Sequence, residues 1–180
     1  MTYFSAEGFV NQESALEVDR AARMSRIGDT ATELRSFLEP LWLRRKAETG
    51  RLPDAGSPLS EGMCGFTSAF VVLALSVTDG PGWRMAGGWP QSGGGIACRR
   101  GRLHGHFWAV SEDGIVVDLT ADQFGHPNVI VTTDRDARYV ESFTLNEIER
   151  HAGRVMPLAE EWLALATKDG LVPHVARLAA

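Results

Sequence analysis

Three side chains of this chain have the types needed for covalent acyl chemistry: Cys64, His106 and Asp118. Cys64 stands in "SEGMCGFTSAFVVLAL", after a glycine-containing loop and at the head of an apolar run. In the first turn of a helix the unpaired backbone N–H groups and the helix field stabilise a thiolate. The same N–H groups stabilise the oxyanion formed when that thiolate attacks a carbonyl. Gly65, with no side chain, leaves room for a substrate beside the sulfur. A lone cysteine is more often a small buried hydrophobe, so the case for chemistry rests on "HGHFWAVSEDGIVVDLT", which supplies His104, His106 and Asp118.

Strand parity decides whether those groups meet. In an extended segment His104, His106, Trp108 and Val110 share one face, and on the next strand Val116, Asp118 and Thr120 do. A two-residue turn at Asp113-Gly114 would pair Ala109 with Asp118 and turn His106 away from the carboxylate. A three-residue loop, Glu112-Asp113-Gly114, pairs Trp108 with Asp118 and sets His106 diagonal to it on the same face. Gly114 suits the left-handed position that closes such loops, and diagonal side chains reach one another. The second register is favoured for its chemical fit. Asp118 would then hold one imidazole nitrogen while the other faces the thiol, giving nucleophile, base and orienter. His104 shares the face and is the rival base, with a strand-end position as its plainer explanation. His126, His151 and His174 read as turn or helix-end residues.

The elements around these residues are helical first. Residues 12 to about 48 read as mostly helix, with Leu34, Phe37, Leu38 and Leu41 at three- and four-residue steps and Pro40 dividing or ending it. "TGRLPDAGSPLSEG" is a loop, and an apolar helix from about Cys64 to Ser76 stops at "TDGPG". The glycine-rich "AGGWPQSGGGIA" reads as a loop flanking the site. Strands follow at roughly 104–110 and 115–120, with "NVIVTT" a third. "TLNEIERH" begins a helix with Thr144 and Glu147 as a capping box, and "LAEEWLALA" forms a final amphipathic helix. The expectation is one α+β domain over residues 1–180, N-terminal helices packed on a small antiparallel sheet.

Composition narrows the partners. The 180 residues are 44% hydrophobic with a formal net charge of -5, which argues against a polyanionic partner. No basic run interleaved with aromatics suggests a nucleic-acid groove. "FTSAFVVLALSV" is too short to span a bilayer. "MTYFSAEGFV" lacks the pattern of a signal peptide, and two cysteines are no disulfide scaffold, so a cytoplasmic setting is expected.

The order Cys64, His106, Asp118 resembles the transglutaminase-like branch of the papain-like cysteine enzymes. "CGFTSAFVVLAL" is similar to the nucleophile helix of that superfamily, "HFW" to its His-any-Trp strand, and "VVDLT" to the following strand with its Asp and Thr. The likeness covers roughly residues 60 to 125. It implies a papain-like fold and attack by cysteine on an amide of a peptide, protein or small molecule, through an acyl-enzyme and with no cofactor or metal. It also implies an upstream Gln or Asn in the oxyanion hole, yet neither residue occurs between Gln12 and Gln91. Arylamine acetyltransferases share the triad order, but their Arg-Gly-Gly-x-Cys pattern is absent.

Hydrolysis by a peptidase, amidase or glutamine deamidase is the leading expectation, and acyl or amine transfer with the same triad is the alternative. Trp83, Trp89, His104, Trp108 and Gln123, together with Gly65, are candidate substrate-binding residues because they flank the triad in sequence. In "TADQFG", Asp122 and Gln123 either bind polar substrate ends or cap a turn. Two other classes compete. Cys98, His104, His106 and Asp118 are zinc-type ligands, though their spacing matches no compact motif. A non-catalytic binding protein on the same fold is the third possibility. "GGWPQSGGG" lacks the Lys-Ser/Thr ending of a phosphate-binding loop.

Overall fold

The computed structural model describes residues 7–173, with side chains from residue 17 onward; His174 lies outside the described residues. The architecture is α+β. Helix α1 (Glu7–Glu48) is followed by α2 (Cys64–Thr78), seven short strands and α3 (Leu145–Lys168). Strands β1 (Trp83–Gly88), β4 (His106–Ser111), β5 (Ile115–Asp118) and β6 (Ile130–Thr133) form an antiparallel sheet in the order β1-β4-β5-β6. A smaller antiparallel sheet has the order β3-β2-β7, from β2 (Gly95–Ala97), β3 (Leu103–His104) and β7 (Tyr139–Val140). No described helix is long and apolar enough to cross a membrane.

Helix α2 is buried on several faces, which its nearly unbroken apolar sequence requires. It packs against α3 on one side and against β4 and β1 on another. Phe70 meets Trp162 of α3 edge-on at 6.3 Å and stacks with Phe37 of α1 at 5.8 Å. A fully buried side chain such as Phe70 adds about 1.5–3 kcal/mol relative to exposure. Helix α1 contributes Ile27, Ala31, Leu34, Leu38 and Trp42, all buried and one helical turn or two apart. The second face of the large sheet covers a separate cluster of Ala86, Trp108, Val110, Val116 and Ile130, closed by Tyr139 of β7 and Ile96 of β2.

Three expectations about elements are corrected. Pro40 does not divide α1, which continues through it. Nor are there two C-terminal helices, because α3 runs unbroken past Pro157 behind its Thr144–Glu147 capping box. Both prolines are exposed, so the lost hydrogen bond and the ring clash fall on the solvent side, while buried neighbours (Leu38 and Trp42; Val155 and Ala159) hold the flanking turns. The glycine-rich stretch is sheet at both ends, with Trp89–Gly94 as the connection. Gly87 and Gly88 pair with Phe107 and His106 in β1–β4, and Gly95 pairs with Val140 in β2–β7. A Cβ on Gly88 would lie 2.4 Å from the Gly95 nitrogen, and one on Gly87 2.5 Å from the His106 oxygen. These glycines allow backbones to approach closely within and between the sheets.

The β4–β5 register pairs Ala109 with Val117 and Val110 with Val116. That is the three-residue loop, closed by Gly114 at φ +80°. The Ser111 hydroxyl accepts a hydrogen bond from the Ile115 N–H at 2.8 Å and fixes the turn.

Candidate active site

The loop parity sets His106 and Asp118 on one face, and their side chains meet. His106 Nε2 lies 2.7 Å from Asp118 Oδ2, and both residues are buried. The rest of the carboxylate is saturated. Oδ1 accepts from the Thr120 N–H at 2.8 Å and the Thr120 hydroxyl at 3.0 Å, and Oδ2 also accepts from the Tyr139 hydroxyl at 3.1 Å. Burial disfavours charge on Asp118, but the His106 cation and the Thr120 donors outweigh it and hold the carboxyl below its ordinary range. Burial likewise opposes an imidazolium at His106, and Asp118 and the Cys64 side chain reverse that, raising its proton affinity. Tyr139 is raised above the ordinary phenol value by burial and the Asp118 charge, so it remains a donor.

His106 Nδ1 is buried and without a hydrogen-bond partner. Cys64 lies near enough to the ring to favour its protonation, yet no formed hydrogen bond joins the sulfur to Nδ1. Cys64 is the first residue of α2, and no side chain caps that helix: Met63 holds the N-cap position without a side-chain hydrogen bond. The first-turn N–H groups are therefore left without an intrahelical or capping side-chain partner. Phe124 sets its edge on His106 at 4.9 Å, and Trp108 lies 6.2 Å away, tilted over the same ring.

The loop ahead of Cys64 is pinned from behind. Buried Arg35 of α1 donates to the Leu119 carbonyl and pairs with Asp122 at 2.9 Å, and the Ser60 hydroxyl bonds the same carboxylate. Gln123 accepts from the Gly62 N–H at 3.2 Å. Asp122 and Gln123 thus fasten the segment after β5 to the segment before α2.

The remaining candidates are distributed unevenly. His104 pairs with Ile96 in the small sheet and takes no part in the Asp118 contact. It lies 5.2 Å from Phe124 and lines a cavity of about 410 Å³ with Pro58, Glu61, Cys98 and Gln123. Trp89 covers Gly105, next to His106: a Cβ on that glycine would fall 2.0 Å from the indole. Gly65 lies under His151. Trp83 is elsewhere. It pairs with Ser111 at the far end of β1 from Gly88 and His106, and its indole N–H bonds Asp79 at 3.1 Å. Proximity in sequence misplaced it, since an antiparallel strand carries its two ends to opposite edges of the sheet. Hydrogen bonding from the Arg100 backbone lowers the Cys98 thiol from its ordinary value; burial opposes the shift, and Arg102 assists it.

Tyr139, Phe124, Ser60 and Arg35 went unnoticed in the sequence. Each acts through a long-range contact that no local pattern announces. Among the described residues no group of three or more His, Cys, Asp or Glu side chains gathers as metal ligands would; Cys98 and His104 line the cavity, while His106 and Asp118 bond each other. No known family, curated protein or solved structure matches this chain.

Proposed function

We propose that this protein is a cysteine-dependent amide hydrolase of the papain-like, transglutaminase-like kind, working through an acyl-enzyme. One observation carries the reading: a buried imidazole, bonded through Nε2 to a saturated carboxylate, keeps Nδ1 free on the side of a cysteine heading an uncapped helix. Asp118 favours the imidazolium, and the imidazolium favours the Cys64 thiolate. The thiolate attacks the amide carbonyl. His106 gives its proton to the departing nitrogen, then takes one from the water that cleaves the thioester. Asp118 orients the ring throughout, with Tyr139 and Thr120 orienting Asp118.

Intact-mass measurements with peptide and small-amide substrates test this. The parent protein should carry a transient acyl adduct on Cys64, and Cys64→Ala none. His106→Ala should lower turnover by roughly 10²–10⁴-fold, the usual weight of a general acid–base group. Turnover that survives Cys64→Ala would end the proposal.

A further inference from the structure

The reaction lacks one side chain: no Gln or Asn lies between Gln12 and Cys64 to receive the oxyanion. His151 lies against Gly65, the residue after Cys64. Its ring stacks on Phe107 at 3.9 Å and 16°, which fixes its plane. Arg154 Nη2 lies 3.3 Å from its Nδ1. A guanidinium can only donate, so Nδ1 accepts and the proton of the neutral ring sits on Nε2. That Nε2 is buried and has no hydrogen-bond partner. It points at the backbone of Gly65, the residue after Cys64, where an added Cβ would come within 2.1 Å. Burial, and secondarily the Arg154 charge, lowers the proton affinity of His151, so the ring is a neutral donor. A buried N–H is normally satisfied, and an exception beside an uncapped helix start calls for a ligand. The same imidazole lines a cavity of about 130 Å³ with Trp89, Phe107, Phe143, Arg150 and Arg154.

We propose that His151 Nε2–H is the side-chain oxyanion donor, binding the carbonyl oxygen of a substrate at Cys64; this rests on Cys64 being the nucleophile. As the sulfur–carbon bond forms, the carbonyl π pair moves onto oxygen and is held by Nε2–H and the first-turn N–H groups of α2. When the pair returns, the carbon–nitrogen bond breaks and the nitrogen leaves with the proton from His106. His151 keeps its own proton throughout. Gly65 is then required for the approach of the imidazole.

Two reagents separate this role from a structural one. Alkylation of Cys64 by iodoacetamide occurs at a saturated carbon and forms no oxyanion, whereas acylation by p-nitrophenyl acetate does. In a Cys98→Ser background, His151→Leu should slow acylation about 10²-fold, the cost of one oxyanion donor, and leave alkylation unchanged. His151→Gln, which retains an N–H near the same place, should recover part of the loss. If the leucine variant fails to fold, His151→Phe keeps the stack on Phe107 without the donor. Equal acylation of parent and variant would overturn the assignment, as would an equal fall in both reactions. A parent whose Cys64 is neither alkylated nor acylated would instead sink the cysteine mechanism on its own.

Discussion

His106 and Asp118 lie at a depth where neither would stay charged alone. Each is kept ionised by the other, with Thr120 and Cys64 assisting. The two shifts make stability depend on pH with opposite signs. His106, raised to about 10, adds stability that is complete below its unfolded value of about 6.5 and is lost as pH climbs through the folded one. Asp118, depressed, adds stability present above its unfolded value of about 3.9 and lost as pH falls through the folded one. Asp118→Asn removes both contributions. The gap in Tm between parent and variant should be widest between about pH 4 and 6.5 and shrink on either side, corresponding to about 3 kcal/mol at its maximum. A gap that does not vary with pH in thermal melts would show that the pair is not ionised. The contact was legible in the sequence only in part: Gly114 ends both the two-residue turn and the three-residue loop, so chemical fit rather than the glycine favoured the register that sets His106 and Asp118 on one face. The position of His151 was not legible, since its free nitrogen is defined only once α3 docks on α2.

The elements near the site were readable where their signal is local and unreadable where it is not. The α2 start and the Thr144 cap each follow from a few adjacent residues. Strands β1 and β2 do not, because Gly87, Gly88 and Gly95 have low strand propensity and serve instead to let backbones meet. This distinction predicts two different outcomes for one kind of substitution. Gly88→Ala would drive a methyl into the Gly95 backbone, which cannot yield without shifting a strand. It should cost about 1–3 kcal/mol in urea unfolding. Gly105→Ala meets the Trp89 ring first, a side chain rather than backbone, on a residue that is 49% exposed. It should leave stability nearly intact and increase acrylamide quenching of tryptophan fluorescence. Equal destabilisation by the two would mean that Trp89 is held as rigidly as backbone.

At the scale of the whole molecule, α1 governs the site without reaching it. Arg35, stacked on Trp42 at 4.5 Å and buried, spans from the N-terminal helix to the Leu119 carbonyl and to Asp122. Asp122 passes the restraint to Ser60, four residues before the cysteine. The first helix was readable as a helix with an apolar stripe, but a buried arginine on that stripe gives no hint of what it will bind. Arg35→Met keeps the stem against Trp42 and removes the charge and donors, leaving Asp122 half-buried with Ser60 as its remaining partner. The expected loss is about 3 kcal/mol, as for other ion pairs broken from one side. Its effect should be local as well as global. Hydrogen exchange of the Gly62 and Met63 amides, which bond Gln123 and the Ser60 carbonyl, should quicken more than exchange in the middle of α3. Alkylation of Cys64 should lose rate at neutral pH as its loop loosens from His106. Were the loop amides and α3 to quicken by the same factor, Arg35 would be a stabiliser of the fold alone, and the tether from α1 to the cysteine would have to be abandoned.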